Sequence, residues 1–338
     1  MAGVALLLPV SCHAYSVGLT QLAQADGGRL TVYYPAAGPA RPVRLGSFAM
    51  LLAPGGTPLR GNGRLVVISH GSGGSPWVHY DLARTLVMRG FTVALPQHRH
   101  DNYRDPSNPG PPSWRLRPRE VSAAIDLVAQ HAALARHLDL TAVGVFGGSA
   151  GGHTALSLAG GAWSEQRFRL HCERHAARDF AACVGALARL RGNWFDHPKV
   201  WLANRVIGWR FADPALVRHT DARIKAALAM APAAAHFVPA SLGHPRIALG
   251  LVVAGKDAFL APDLHVGPIL RACRPRCELV MDLPGAGHGA MLSPLPALAA
   301  DSTLGRLLAD PPGFERRRAI PELNGRIAGF FERHLRVP

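Results

Sequence analysis

Lysine is nearly missing from this chain: of 37 basic residues only Lys199, Lys225 and Lys256 are lysines, and the rest are arginines. Acidic residues are few as well, 22 in 338, so the formal net charge is +15. The arginines are scattered from Arg29 to Arg336, and their densest run is only Arg316-Arg317-Arg318. No basic stripe interleaved with aromatics occurs, which argues against a nucleic-acid partner and leaves a general attraction to anionic surfaces, lipid headgroups included. No apolar run is long enough to cross a bilayer, so no membrane span is expected. None of the five cysteines (Cys12, Cys172, Cys183, Cys273 and Cys277) falls in a C-x-x-C pair, which speaks against a zinc ribbon or a thioredoxin-type centre. Internal repeats and low-complexity tracts are absent.

What is present suits a folded enzyme-sized domain. Hydrophobic residues make up 48% and charged residues 17%, enough to bury a large core and too apolar for disorder. The length permits either two domains or one large α/β domain carrying an insertion. The first residues, MAGVALLLPVSCHAYS, are apolar and uncharged and end in small side chains. Residues 1–14 resemble the back half of a secretory signal peptide whose basic start is missing. The expectation is a periplasmic or secreted protein, with a cytoplasmic protein holding five buried thiols as the alternative. Cleavage after Ala14 would leave four cysteines, compatible with two disulfides. The shortest-range pairing is Cys172–Cys183 with Cys273–Cys277.

Along the chain, short apolar runs alternate with helical spacings. Strands are expected at Arg29–Tyr34, Phe48–Leu52, Arg64–Ser69, Phe91–Leu95, Ala142–Phe146, Ala226–Ala231, Ile247–Ala254 and Glu278–Leu283. Helices are expected over Trp77–Arg89, along Val121, Ile125, Val128 and Ala132, and along Leu323, Ile327, Phe330, Phe331 and Leu335. Gln97–Trp114 is polar and proline-rich and reads as loop. Strands alternating with helices imply parallel pairing through crossovers, an α/β sheet flanked by helices. Between about residues 161 and 223 no strand is readable. That stretch holds Trp163, Trp194, Trp201 and Trp209, four of the six tryptophans, and reads as a helical cap that shapes an apolar pocket.

The chemistry centres on Gly147-Gly148-Ser149-Ala150-Gly151, a G-x-S-x-G sequence placed directly after a buried strand and before a helix of small residues. A serine on so tight a turn is thrust clear of the sheet, and only small neighbours let the turn close. No Gly-Lys-Ser/Thr follows and no G-x-G-x-x-G opens the helix, so phosphate binding is not indicated. Earlier in the chain, Ser69-His70-Gly71-Ser72-Gly73-Gly74 follows the RLVVIS strand. Acyl transfer develops an oxyanion that needs two waiting N–H groups, here expected from Ala150 and Ser72.

A serine hydroxyl needs a base. His288 is favoured among seventeen histidines because Leu283-Pro284-Gly285-Ala286-Gly287-His288-Gly289 is a glycine-flanked loop after the last strand. The orienting acid is expected after the preceding strand, at Asp257, with Asp263 and Asp282 as rivals. Two weaker groupings are candidates for metal. His171, Cys172 and His175 contain an i, i+4 histidine pair without a further ligand. His98, His100 and Asp101 are expected to hold the loop at the pocket mouth instead. No metal and no organic cofactor is expected.

Together SHGSGG, GGSAGG, AGKD and GAGHG resemble the dienelactone-hydrolase-related branch of the α/β-hydrolases, which includes bacterial proteins similar to platelet-activating-factor acetylhydrolases. The resemblance runs from about Leu30 to Leu335 and includes the PQHRHDNYRDPS loop. It implies an α/β-hydrolase fold with a mostly parallel central sheet and a helical cap, and hydrolysis of small or lipid-like esters through Ser149, Asp257 and His288. Two departures bear on substrate. Dienelactone hydrolases use cysteine where this chain has Ser149. The acetylhydrolases carry their acid on the strand soon after the nucleophile, where this chain reads AALAMAPAAA. The same triad would serve an amidase, a peptidase or an acyltransferase, and a non-catalytic binding module on the same scaffold is the reading from a different class.

Overall fold

The structure, a computed structural model, describes residues 15–24, 27–185, 188–294 and 302–336. The expected leader, residues 1–14, and Cys12 lie outside the described residues. Eleven strands form one sheet: β1 Ser16–Ala23, β2 Arg29–Ala37, β3 Arg41–Leu45, β4 Phe48–Pro54, β5 Thr57–Pro58, β6 Leu65–Ser69, β7 Thr92–Pro96, β8 Val143–Gly148, β9 Ile224–Met230, β10 Ala248–Ala254 and β11 Glu278–Leu283. Their order is β11-β10-β9-β8-β6-β7-β2-β1-β4-β3, with β5 paired to β2. The six strands from β6 to β11 run parallel, while β2 meets both β7 and β1 antiparallel. The class is α/β, as the alternation of segments implied.

Ten helices complete the described chain: α1 Tyr80–Met88, α2 Pro111–Gln130, α3 Ala132–Ala135, α4 Ala150–Leu158, α5 Glu165–His175, α6 Phe180–Val184, α7 Asp196–Arg210, α8 Val266–Cys273, α9 Thr303–Leu308 and α10 Arg316–His334. The parallel strands β6, β7 and β8 are buried along their whole length, covered on both faces, which is why they read as unbroken apolar runs. Successive side chains alternate between two core layers. Leu65, Val67, Val143 and Val145 pack with Val121, Ile125 and Val128 of α2. Val66, Ile68 and Phe146 pack with Leu82 and Leu86 of α1 and with Ile327, Phe330 and Phe331 of α10. Gly144 on β8 makes room for this last layer: a Cβ there would sit 2.6 Å from the Phe331 ring. Overpacking of that kind costs about 1–3 kcal/mol.

Two boundaries depart from the sequence expectation. Helix α2 opens at Pro111, not after Trp114, because proline suits the first turn, where its missing N–H is not needed. That helix ends at Gln130, and Leu134 rather than Ala132 supplies the next buried side chain. Strand β1 was not readable because only Val17 and Gly18 of its eight residues are buried.

Between α4 and β9 lie α5, α6 and α7, joined to the body by isolated bridges from Trp163 to Val217 and Phe237. Ser164 caps α5, its hydroxyl accepting from the Arg167 N–H at 3.2 Å. Disulfides join Cys172 to Cys183, tying α5 to α6, and Cys273 to Cys277, closing the turn between α8 and β11. The four tryptophans of this stretch separate: Trp163 is buried in the core, while Trp194, Trp201 and Trp209 are exposed. No described helix is long and apolar enough to cross a membrane.

Candidate active site

Ser149 sits at the hinge between β8 and α4 with φ 57° and ψ −120°, a left-handed backbone that a non-glycine residue adopts only under constraint. The constraint is visible around it. The Ser149 N–H donates to the Met230 carbonyl at 3.1 Å, and the Ser149 carbonyl accepts from Ala233 and His153 at 3.0 and 3.1 Å. Side chains on the flanking glycines have no space. A Cβ on Gly147 would strike the Gly151 carbonyl, one on Gly148 the Met291 sulfur, and one on Gly151 the Ser69 carbonyl. The small residues of the pentapeptide are therefore required by close backbone approach, and the turn presents the half-buried hydroxyl at the carboxyl edge of the sheet.

The structure brings the predicted partners to that hydroxyl. His288 opens a short 3₁₀ turn after β11, and its Nε2 lies 3.1 Å from Ser149 Oγ across 139 residues of sequence. Its Nδ1 lies 2.7 Å from Asp257 Oδ2. Asp257, in the turn after β10, is buried, and its Oδ1 accepts from the Phe259 and Leu260 N–H groups at 2.8 and 2.9 Å. With both oxygens engaged, the carboxylate has one orientation. Neither rival reaches the imidazole: Asp263 pairs with Arg178 at the surface and Asp282 is exposed on β11.

The loop after β6 closes the other side. Gly71 packs against the nucleophile, since a Cβ there would lie 3.4 Å from Ser149 Cβ and 3.8 Å from its Oγ. Among the described residues neither the Ser72 nor the Ala150 N–H is engaged in another hydrogen bond. The loop is held from beneath by Asp101 and Arg117, both fully buried. Asp101 Oδ1 accepts from Ser72 Oγ at 2.5 Å and from the Gly73 N–H at 3.0 Å. Its Oδ2 accepts from Ser113 Oγ at 2.9 Å and from Arg117 Nη2 at 2.8 Å. Arg117 Nη1 also donates to the His70 carbonyl at 2.5 Å. Burial alone would raise the Asp101 carboxyl, but the Arg117 charge and these hydrogen bonds outweigh it and hold the group below the usual carboxylate range.

A second buried chain supports the same strand end. Ser69 Oγ lies 2.7 Å from His98 Nε2, and His98 Nδ1 lies 2.5 Å from Glu120 Oε2. His70 accepts the His98 N–H through Nε2 at 3.3 Å. Burial pushes both imidazoles below their ordinary value, further for His70, so they act here as neutral hydrogen-bonding groups. His100, expected beside them, instead turns outward and pairs with Asp105.

The weighed metal grouping is rearranged. Cys172 is tied up in a disulfide, and His171 pairs with Asp179 and His265 instead of Cys172 and His175. Nε2 of each imidazole lies 2.7 Å from Asp179 Oδ2. His265 Nδ1 accepts the Ala234 and Ala235 N–H groups at 3.0 and 3.2 Å. Those two donors place the His265 proton on Nε2, where it is donated to Asp179. A metal at that nitrogen would require an imidazolate, whereas metal-bound histidine donates from its second nitrogen. The cluster is a hydrogen-bonded clip joining α5 and α6 to the loop that follows β9.

Sequence reasoning placed Asp101 near the site but missed Arg117, Glu120 and the aromatic side chains at the rim. The Phe259 ring centroid is 5.9 Å from that of His288. Trp77 and Tyr103 lie 5.2 Å apart, with the Tyr103 N–H on the Gly74 carbonyl. A cleft of about 330 Å³ between α2 and Val217–His219, with Trp114 and Trp163 in its wall, contains none of the predicted site residues.

No family model and no curated protein matches the chain. Among solved structures it is similar to a ferulic acid esterase from Streptomyces cinnamoneus, with a TM-score of 0.59 and 15% sequence identity over 98% of this chain and 94% of that one. At that identity the likeness concerns the fold, which is that of the α/β-hydrolases.

Proposed function

We propose that this chain is a serine hydrolase that cleaves carboxylic esters, with Ser149 as nucleophile, His288 as general base and acid, and Asp257 as the group that orients the imidazole. The observation that carries the reading is the continuous line Ser149 Oγ–His288 Nε2 and His288 Nδ1–Asp257 Oδ2, at 3.1 and 2.7 Å, starting from a serine held in a left-handed turn. His288 takes the serine proton as Oγ attacks the ester carbonyl. The N–H groups of Ala150 and Ser72 receive the oxyanion, aided by the N-terminus of α4. His288 returns the proton to the leaving alcohol, then takes one from the water that opens the acyl-enzyme and passes it to Ser149 Oγ as the acid departs. The esterase activity named for the structural neighbour supports an ester over an amide. The substrate class proposed is a small or lipid-like ester.

The decisive experiment pairs a fluorophosphonate probe with a panel of nitrophenyl esters and matching anilides. Labelling and ester turnover are expected in the native protein and in neither case after Ser149→Ala. Faster anilide than ester cleavage would favour the amidase reading, and absence of labelling the non-catalytic one. The two disulfides support maturation in an oxidising compartment, hence export. Mass spectrometry of the mature N-terminus tests that part.

A further inference from the structure

Apolar surface is unevenly distributed over the described residues. Of ten large apolar side chains that are exposed, six lie within one short stretch: Trp194, Phe195, Trp201, Leu202, Val206 and Trp209. Helix α7 explains the grouping. At 100° per residue, positions 201, 202, 205, 206 and 209 fall within one arc of roughly 140°, while Ile207, the one buried residue of the helix, points the opposite way. Trp209 is 85% exposed and Trp201 64%. Cores explain buried tryptophan, but a row of outward-facing tryptophans on one helix needs a different environment to cover it.

The charges around that row say which environment. Residues 188–211 carry Arg189, Arg191, Lys199, Arg205 and Arg210 against the single acid Asp196. Arg205 lies inside the apolar arc itself, its guanidinium 6.0 Å from the Trp201 ring centroid. A two-fold contact between copies would set these cations against their own images, and the whole chain carries +15. An anionic lipid surface satisfies both features: its acyl boundary takes tryptophan and leucine, and its headgroup phosphates take arginine and lysine. The position is also suitable. Arg210 at the end of α7 donates to Asn108 Oδ1 at 3.2 Å, and Asn108 belongs to the loop leaving the carboxyl end of β7, the edge at which Ser149 lies.

We propose that the outward face of α7 docks on surfaces of anionic lipid, lying flat at the headgroup boundary with Trp201, Leu202, Val206 and Trp209 inserted. The docking goes beyond ester cleavage and does not depend on it, so it is read with the Ser149→Ala protein. Full-length Ser149→Ala chain is mixed with vesicles of phosphatidylglycerol and phosphatidylcholine in equal parts, or of phosphatidylcholine alone, and sedimented at low and at 0.5 M salt. The expected result is at least tenfold stronger partitioning to the anionic vesicles, weakened by salt, with a blue shift of tryptophan emission. Trp201→Ala/Trp209→Ala is expected to lose at least tenfold of that partitioning. The same pair on the Ser149 background is expected to keep its unfolding temperature and its rate on a soluble nitrophenyl ester. Equal partitioning to neutral and anionic vesicles, no partitioning at low salt, or binding unchanged in the double variant would each overturn the proposal. A dimer seen by analytical sedimentation, dissolved by the double variant and not by vesicles, would assign the face to a second copy instead.

Discussion

Replacing Asp101 by asparagine tests how the loop opposite the nucleophile is held. The carboxylate accepts four hydrogen bonds, two on each oxygen, and neither it nor Arg117 is accessible to solvent. Asparagine retains one acceptor oxygen. Whichever way it turns, its NH₂ group faces two donors, either Ser72 and Gly73 or Ser113 and Arg117. The buried Arg117 cation then loses its direct ion-pair partner, and breaking a buried pair by removing one partner costs about 3–5 kcal/mol. Against the roughly 5–15 kcal/mol that holds a domain together, this is a large loss. The same change frees Ser72 and Gly73, and a misplaced oxyanion donor costs about 10²–10³ in kcat. The Asp101→Asn protein is therefore expected to unfold at markedly lower urea and to lose about 100-fold in kcat on a nitrophenyl ester, with KM little changed. Arg117→Met should be similarly damaging alone. The double variant Asp101→Leu/Arg117→Met should be more stable than the sum of the singles, since removing both charges leaves neither buried alone. An Asp101→Asn protein within about 0.5 kcal/mol of wild type and near full kcat would refute the reasoning.

Four further outcomes are expected. Ser149→Ala should reduce ester turnover by about 10⁶ and Asp257→Asn by about 10⁴, both without loss of fold by circular dichroism. Gly151→Ala should fail to accumulate as folded protein, because its Cβ meets the Ser69 carbonyl, which cannot rotate away as a side chain can. Removing the Cys172–Cys183 bridge by Cys172→Ser/Cys183→Ser should lower stability by about 2–4 kcal/mol, measured by urea unfolding of the variant against the native protein. Burial pushes His79 down to about 4. The unfolded chain therefore binds this proton first as pH falls through about 6.5, and the contribution to stability is lost progressively from there to about 4. His79→Leu should flatten that part of the acid-unfolding curve, read by tryptophan fluorescence.

The parallel part of the sheet was legible because strands covered on both faces leave short unbroken apolar runs bounded by turn residues, as at Leu65–Ser69 and Thr92–Pro96. The candidate site was legible because Ser149, His288 and Asp257 each follow a strand within a few residues, with glycine close by, where function and backbone constraint coincide. Arg117 was hidden for the opposite reason. It sits among the buried positions of a helix, where an arginine reads as solvated, and only the fold reveals that Asp101 is there to meet it. The outward direction of the α7 tryptophans was equally hidden, since helical spacing tells which residues share a face and not what that face meets.

Within the insertion, the residues of the clip (His171 and Asp179, held by His265 ahead of α8) and of the Cys172–Cys183 bridge all precede Gly185. The bridge ties α5 to α6, and the clip fastens both, through His265, to the loop that carries Ala233 to the nucleophile turn. Residues 188–206 lie beyond these fastenings, and the chain rejoins the body through the buried Ile207, through Phe211 against Phe168, and through Asp213 paired with Arg115. A designer can therefore exchange residues 188–206 as a module while the first half stays locked to the sheet, provided the Ile207, Phe211 and Asp213 contacts are kept.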